Sequence, residues 1–222
     1  MIDPKIESAI KAALSAFSRY NDSDVTQLTT RFESVFASEE DFLSKADMMD
    51  EAFDDNPGIE SLREVFFDLL MINFFSADVK KLEDDYLESA EWEEIEEETL
   101  DRGTELLNLL LYLNECEDED IEPELEDYLK EFLLVDEDEF QDEYRIYEPV
   151  IENQILMESQ VSEIGRVARS LSDDLEIKEI FYPLMCFFQG AATGEYEKDQ
   201  IAANAPEKDF DMTVLEILIS FN

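Results

Sequence analysis

Residues 66–75 read FFDLLMINFF, residues 106–113 LLNLLLYL and residues 180–188 IFYPLMCFF. Each run is apolar nearly all round, and a helix with no polar face is a helix buried on every side. These three segments are therefore expected at the centre of the fold, with amphipathic helices packed around them. Pro183, inside the third, predicts a kink or a late helix start, because proline lacks the N–H that the helical ladder needs.

Working outward, the helical period continues. Ile6, Ile10, Ala13, Leu14 and Phe17 recur at i, i+4, i+7, i+8 and i+11, one stripe on one helix, and Asp3-Pro4 opens it without loss of a hydrogen bond. Ser23 or Asp24 can cap a second helix carrying Val25, Leu28, Phe32 and Phe36. Ser38, with Asp41 three residues later, predicts a third containing Phe42, Ala46, Met49 and Phe53. Asn56-Pro57-Gly58 is a break. Further helices are expected over 77–88, 91–101 (alternatively continuous with 106–113), 123–134, 137–147 and 149–170. The 190–210 stretch reads as an ordered excursion. Segment 212–221 is helical by position, yet Val214, Ile217, Leu218 and Ile219 leave a terminal strand open.

With five Gly, six Pro and no alternating pattern elsewhere, the chain reads as one all-α domain over 1–222, a compact multi-helix bundle of about 8–10 helices. Apolar centres near residues 70, 109 and 154 also allow a helical-hairpin repeat of roughly 40 residues.

Composition restricts function sharply. Sixty acidic residues stand against 16 basic ones, for a net charge of −44, and histidine is absent. A body this negative repels phosphate backbones and anionic lipid, so neither direct nucleic-acid binding nor membrane association is expected. Histidine-based catalysis and histidine-ligated metals are excluded. No di-iron Glu-x-x-His, EF-hand, P-loop, G-x-G-x-x-G or G-x-S-x-G pattern occurs. No enzyme activity, cofactor or metal is expected. Cys116 and Cys186 form no C-x-x-C. Without an apolar leader or a run of ~20 apolar residues, the expected location is the cytoplasm.

The charge is concentrated. Between Glu83 and Glu143, 61 residues hold 28 acids and two bases, Arg102 and Lys130, a net of −26. The first run comprises Glu83, Asp84, Asp85, Glu88, Glu91, Glu93, Glu94, Glu96, Glu97, Glu98 and Asp101. As a helix it would offer roughly one carboxylate per 2.6 Å of axis, against one charge per ~1.7 Å in duplex DNA. The second contains Glu117, Asp118, Glu119, Asp120, Glu122, Glu124, Glu126 and Asp127, and resumes at Asp136, Glu137, Asp138, Glu139, Asp142 and Glu143. Tyr86, Trp92 and Ile95, then Leu125, Leu129, Phe132 and Leu133, interrupt the acids at helical spacing, which suits helices with one buried edge. Solubility needs a net charge of only about 2–8 in a small domain. A merely solvated helix face ordinarily mixes both signs. Adaptation to high salt fits poorly with 16 Phe.

In this respect the chain resembles DNA-mimic proteins, a functional group spread over unrelated folds. The resemblance implies a non-enzymatic inhibitor of a basic nucleic-acid-binding protein: a nuclease, a restriction or other defence complex, or a nuclease toxin neutralised by its immunity protein. The carboxylates of 83–101 and 117–143 would be the contact surface, with Trp92, Tyr86, Tyr128 and Tyr144 at its margin. Two alternatives stand beside it. One is an escort for a basic protein; the other is a carboxylate-only metal protein. Trp92 also reads as a core anchor, Cys186 as a buried filler, and Arg166 and Arg169 as partners of Glu163, Asp173 or Asp174. Nothing in the residues sets the oligomeric state.

Overall fold

The computed structural model describes residues 2–21, 24–77, 89–132, 134–136, 139–140, 145–190 and 194–222. Within them the fold is an all-α bundle, with one short two-stranded ladder as its sole departure. The helices are α1 (Pro4–Asn21), α2 (Thr26–Ala37), α3 (Phe42–Asp54), α4 (Arg63–Ala77), α5 (Ala90–Glu98), α6 (Leu106–Glu119), α7 (Leu125–Asp127), α8 (Glu148–Glu152), α9 (Val161–Ser170), α10 (Lys178–Phe188), α11 (Glu195–Asn204) and α12 (Lys208–Phe221). Short 3-10 turns cover Pro57–Leu62 and Gln154–Glu158, and a π turn, Tyr128–Phe132, extends α7.

The three apolar runs do form the centre. Phe66, Phe67, Leu69 and Leu70 of α4 are buried, as are Leu106, Leu109 and Leu110 of α6 and Ile180, Phe181 and Leu184 of α10. Together with the α1 stripe and Val214, Leu215, Ile217 and Leu218 of α12, they belong to one contiguous cluster. The terminal segment is thus helix, and the strand alternative is overturned. Its β-branched residues are tolerated because packing outweighs the weak propensity against them. α1 and α12 pack antiparallel along their lengths: Lys5 Nζ donates to Phe221 O (3.0 Å), and Asn21 Nδ2 to Asp209 Oδ2 (2.5 Å). First and last helices lying against each other do not suit an open solenoid, whose units touch only their neighbours.

Several boundaries differ from expectation. Ser38 closes α2 instead of opening α3, and the α3 cap is Asp41, whose carboxylate accepts Ser44 N–H. Asp24 Oδ1 accepts Thr26 N–H at the start of α2; Ser23 lies outside the described residues, as does most of the helix expected over 77–88. Where a helix was expected over 137–147, Leu134–Asp136 and Glu139–Phe140 form a two-stranded antiparallel ladder, β1 and β2. The helix expected over 149–170 is three pieces. Gln189, from the end of α10, donates its amide to Leu156 O (3.0 Å) and Ser159 O (2.5 Å), and so satisfies carbonyls that a continuous helix would have used. The 190–210 excursion contains α11, which buries Ile201 and Ala202. Pro183 sits inside α10 without terminating it.

Candidate functional site

The acidic helix α5 runs back along α4. Its first turn is fixed by Ser89, whose Oγ accepts Trp92 N–H (3.1 Å), the ordinary service of a serine cap. Trp92 is half-buried. Its ring lies nearly parallel to Phe74 (12° between planes, centroids 6.4 Å apart) and touches Phe75 at 5.7 Å. Trp92 is therefore the helix's anchor at the C-terminal end of α4. Ile95, one turn on, is 3% exposed. Thr99 closes the helix, donating its hydroxyl to Ile95 O (2.6 Å).

With Trp92, Ile95 and Thr99 turned inward, helical geometry leaves Glu91, Glu93, Glu94, Glu96, Glu97 and Glu98 on the remaining ~220° of the circumference. All six residues are exposed, as is Asp101. Glu93, Glu94, Glu96, Glu97 and Glu98 form no ion pair among the described residues.

The far end of α5 is locked at the N-terminal end of α4. Arg102 Nη1 and Nη2 donate to the two carboxylate oxygens of Asp50 (3.0 and 3.1 Å), and Nε donates to Glu64 (3.0 Å). The guanidinium also lies 4.6 Å from the centre of the Phe67 ring. Glu64 accepts Gly103 N–H (2.7 Å), and fully buried Asp68 accepts both the N–H and the hydroxyl of Thr104. Burial holds the Asp68 carboxyl well above the usual carboxylate range, while the two Thr104 bonds pull it back. The sequence marks Arg102 only as a rare base in an acidic region. Its partners face inward, so it holds the acidic helix in place and brings no positive charge to Glu93, Glu94, Glu96, Glu97 or Glu98. Neither pairing was legible in the sequence, because 52 residues separate Arg102 from Asp50 and 36 separate Thr104 from Asp68.

The second run is only partly brought together with the first. α6 returns parallel to α4, so Glu117, Asp118, Glu119 and Asp120 emerge at the same end of the molecule as Trp92. Phe75 borders both: it touches Trp92 and lines a cavity of about 540 Å³ with Glu117 and Asp118. These four acids are exposed, and Asp120 adopts a left-handed conformation (φ 57°) that ends α6. Glu117 is paired with Lys5. The chain then leaves along another flank of α6, where the Tyr112 hydroxyl accepts Glu124 N–H and donates to Glu124 O, both at 3.1 Å. Glu122, Glu124 and Glu126 are exposed there, with Glu126 paired to Lys130. Asp136 and Glu139 are register partners in the β ladder. Glu83, Asp84, Asp85, Glu88, Glu137, Asp138, Asp142 and Glu143, with Tyr86 and Tyr144, lie outside the described residues.

Tyr128 is not at the margin, as expected, but fully buried. Its hydroxyl bonds the Tyr147 hydroxyl at 3.0 Å, and its ring packs on Tyr112, Tyr147 and Phe188. Cys116 and Cys186 are buried thiols. Burial pushes both upward, Cys186 to about 12, and Glu115 and Glu119 add to the effect at Cys116. Arg166 pairs with Glu163, whereas Arg169 donates to the Gly165, Asn204 and Ala205 carbonyls.

No protein-family model, curated protein or solved structure matches this chain. The physical features of the surface thus stand alone. Among the described residues no group of three or more Cys, Asp or Glu side chains is placed to hold a metal ion, and no helix is long and apolar enough to cross a membrane.

Proposed function

We propose that this protein is an acidic, non-enzymatic binding protein whose carboxylate surface enters the cleft of a basic nucleic-acid-binding protein and excludes nucleic acid from it. One observation carries the reading: α5 is an ordered helix, anchored by Trp92 and Ile95, whose exposed Glu93, Glu94, Glu96, Glu97 and Glu98 form no ion pair among the described residues. Like charges four apart, Glu93–Glu97 and Glu94–Glu98, destabilise a helix by about 0.2–0.5 kcal/mol each. A partner's basic groove relieves that repulsion, and complementary charge speeds encounter by about 10–10³-fold. Glu117 to Asp120, beside the Trp92 end, extend the same negative field. A nuclease, a defence complex or a nuclease toxin is the partner class in view. The buried thiols suit a reducing cytoplasm as the place of action.

The test is competition. Candidate basic nucleases and one histone-like protein are titrated with the full chain and with the Glu93→Lys, Glu94→Lys, Glu97→Lys, Glu98→Lys variant, with and without duplex DNA. Tight binding to one candidate, displaced by DNA and lost in the variant, is the expected result. Equal binding of wild type and variant rejects the reading. Indiscriminate binding to every basic protein replaces it with an escort role.

A further inference from the structure

The first turn of α12 carries an acid into the core. Asp211 is 3% exposed and lies between the buried side chains of Phe210 and Met212. Its Oδ2 accepts the N–H of Glu207 (2.8 Å), and no ion pair reaches it among the described residues. Each neighbouring element was a possible source of a counter-charge. From α9, Arg169 is spent on the Gly165, Asn204 and Ala205 carbonyls. From α10, Tyr182 donates to Ile201 O (2.7 Å), Cys186 is a thiol, and Glu179 is a second acid. Lys178 is held by Asp173 and by Leu171 O. From α11, Lys198 pairs with Glu216. On its own element stand Glu207 and Asp209, more negative charge; Lys208 makes no ion pair among the described residues. α1 brings the Asn21 amide to Asp209. α6 approaches α12 at the far end, where Lys5 bridges Asn114 and Phe221.

A carboxylate buried with a peptide N–H and surrounded by other acids is costly to ionise. A cavity of about 430 Å³, lined by Asp211 with Glu179, Tyr182 and Glu207, and also by Asp174, Glu176 and the paired Asp173 and Lys178, gives it a route to solvent. We infer that Asp211 is a pH-operated latch: with its proton on, the first turn of α12 seats in the core against α10, and with the proton lost that seat weakens. The latch involves no residue of α5 and does not depend on the partner-binding reading.

Burial pushes the Asp211 carboxyl up to about 7; the Glu207 charge adds to this, and the Glu207 N–H and Arg169 oppose it. Folding therefore takes up a proton between the ordinary value of 3.8 and about 7. The stabilisation is complete below that window and is lost as pH rises through it.

The experiment is urea unfolding of the full chain and of Asp211→Asn, which keeps an acceptor for Glu207 N–H, at about pH 4, 5.5, 7 and 8.5. The variant is expected to gain on the wild type as pH rises, the ratio of unfolding constants growing by up to about tenfold per pH unit and levelling off above about 7. Parallel profiles overturn the latch. The carboxyl ¹³C shift of Asp211 in the wild type, followed by NMR across the same range, decides the matter even if the variant does not fold. A midpoint near neutrality supports the latch, and one in the ordinary carboxylate range overturns it.

Discussion

Asp68 and Thr104 are joined twice: the buried carboxylate accepts the threonine N–H at 3.0 Å and its hydroxyl at 2.6 Å. This contact ties the chain leaving α5 to the middle of α4 and starts α6 in the right place. Asp68→Ala removes the buried acceptor of both donors of half-buried Thr104. The expected cost is on the order of 3 kcal/mol, since each unsatisfied buried donor costs about 1–3 kcal/mol. Chemical denaturation measures it directly. A loss below about 0.5 kcal/mol would show that water replaces the carboxylate.

Gly103 sits against the same carboxylate. Its φ is +85°, and an added Cβ would lie 2.6 Å from Asp68 Oδ1. Gly103→Ala therefore meets both a backbone region that L-residues avoid and a clash. It should destabilise the fold by at least about 1 kcal/mol. Gly58→Ala, where nothing lies within 4 Å of the added Cβ, is the control and should be near neutral by the same denaturation assay.

The contrast between these contacts and the helices they join shows how far the residues alone carry the fold. The α1 stripe and the three apolar runs were legible because burial there follows local periodicity, and each helix has one consistent inward face. The region from Pro123 to Ser170 was not. Its short helices are held by partners far along the chain: Tyr112 on Glu124, Tyr128 on Tyr147, and Gln189 on the carbonyls of Leu156 and Ser159. Periodicity carries no information about such bonds, so continuous helices were expected where the chain breaks. The acidic surface divides in the same way. That α5 would bury Trp92 and Ile95 and expose its acids followed from spacing. That Arg102 would turn inward, and that Glu117 would find Lys5, did not.

Relief of self-repulsion on α5 is measurable without a partner. Replacing Glu93, Glu94, Glu97 and Glu98 by Gln removes two like-charge pairs at i, i+4, and should stabilise the protein by about 0.4–1 kcal/mol at low salt. The gain should shrink in about 1 M salt, where the Debye length falls to about 3 Å. No gain at low salt would mean that these carboxylates do not strain the free protein.

Trp92 is the sole tryptophan, so its fluorescence reports on α5 alone. Trp92→Ala deletes a half-buried ring from Phe74 and Phe75 and should cost about 2 kcal/mol, roughly half the value for a fully buried aromatic. Hydrogen exchange should accelerate at the amides of Glu96 and Thr99 more than at those of α12, because the anchor serves one helix. Uniform acceleration across both would assign Trp92 to the global core.

Arg102 separates an ordered acidic surface from mere negative charge. Arg102→Ala makes the protein one unit more negative, so a partner that senses only net charge should bind it slightly better. The same change removes the forked contact to Asp50 and the bond to Glu64. It leaves those acids facing each other without their shared cation, at a cost on the order of 2–3 kcal/mol for charge-assisted bonds. α5 then loses its lower tether, and binding to the basic partner should weaken about tenfold or more. Arg102→Lys should not restore it, because an ammonium cannot span both oxygens of Asp50 while reaching Glu64. Titration calorimetry of both variants at matched ionic strength measures the outcome. Undiminished affinity in Arg102→Ala would mean that the position of the helix is irrelevant and that charge density suffices.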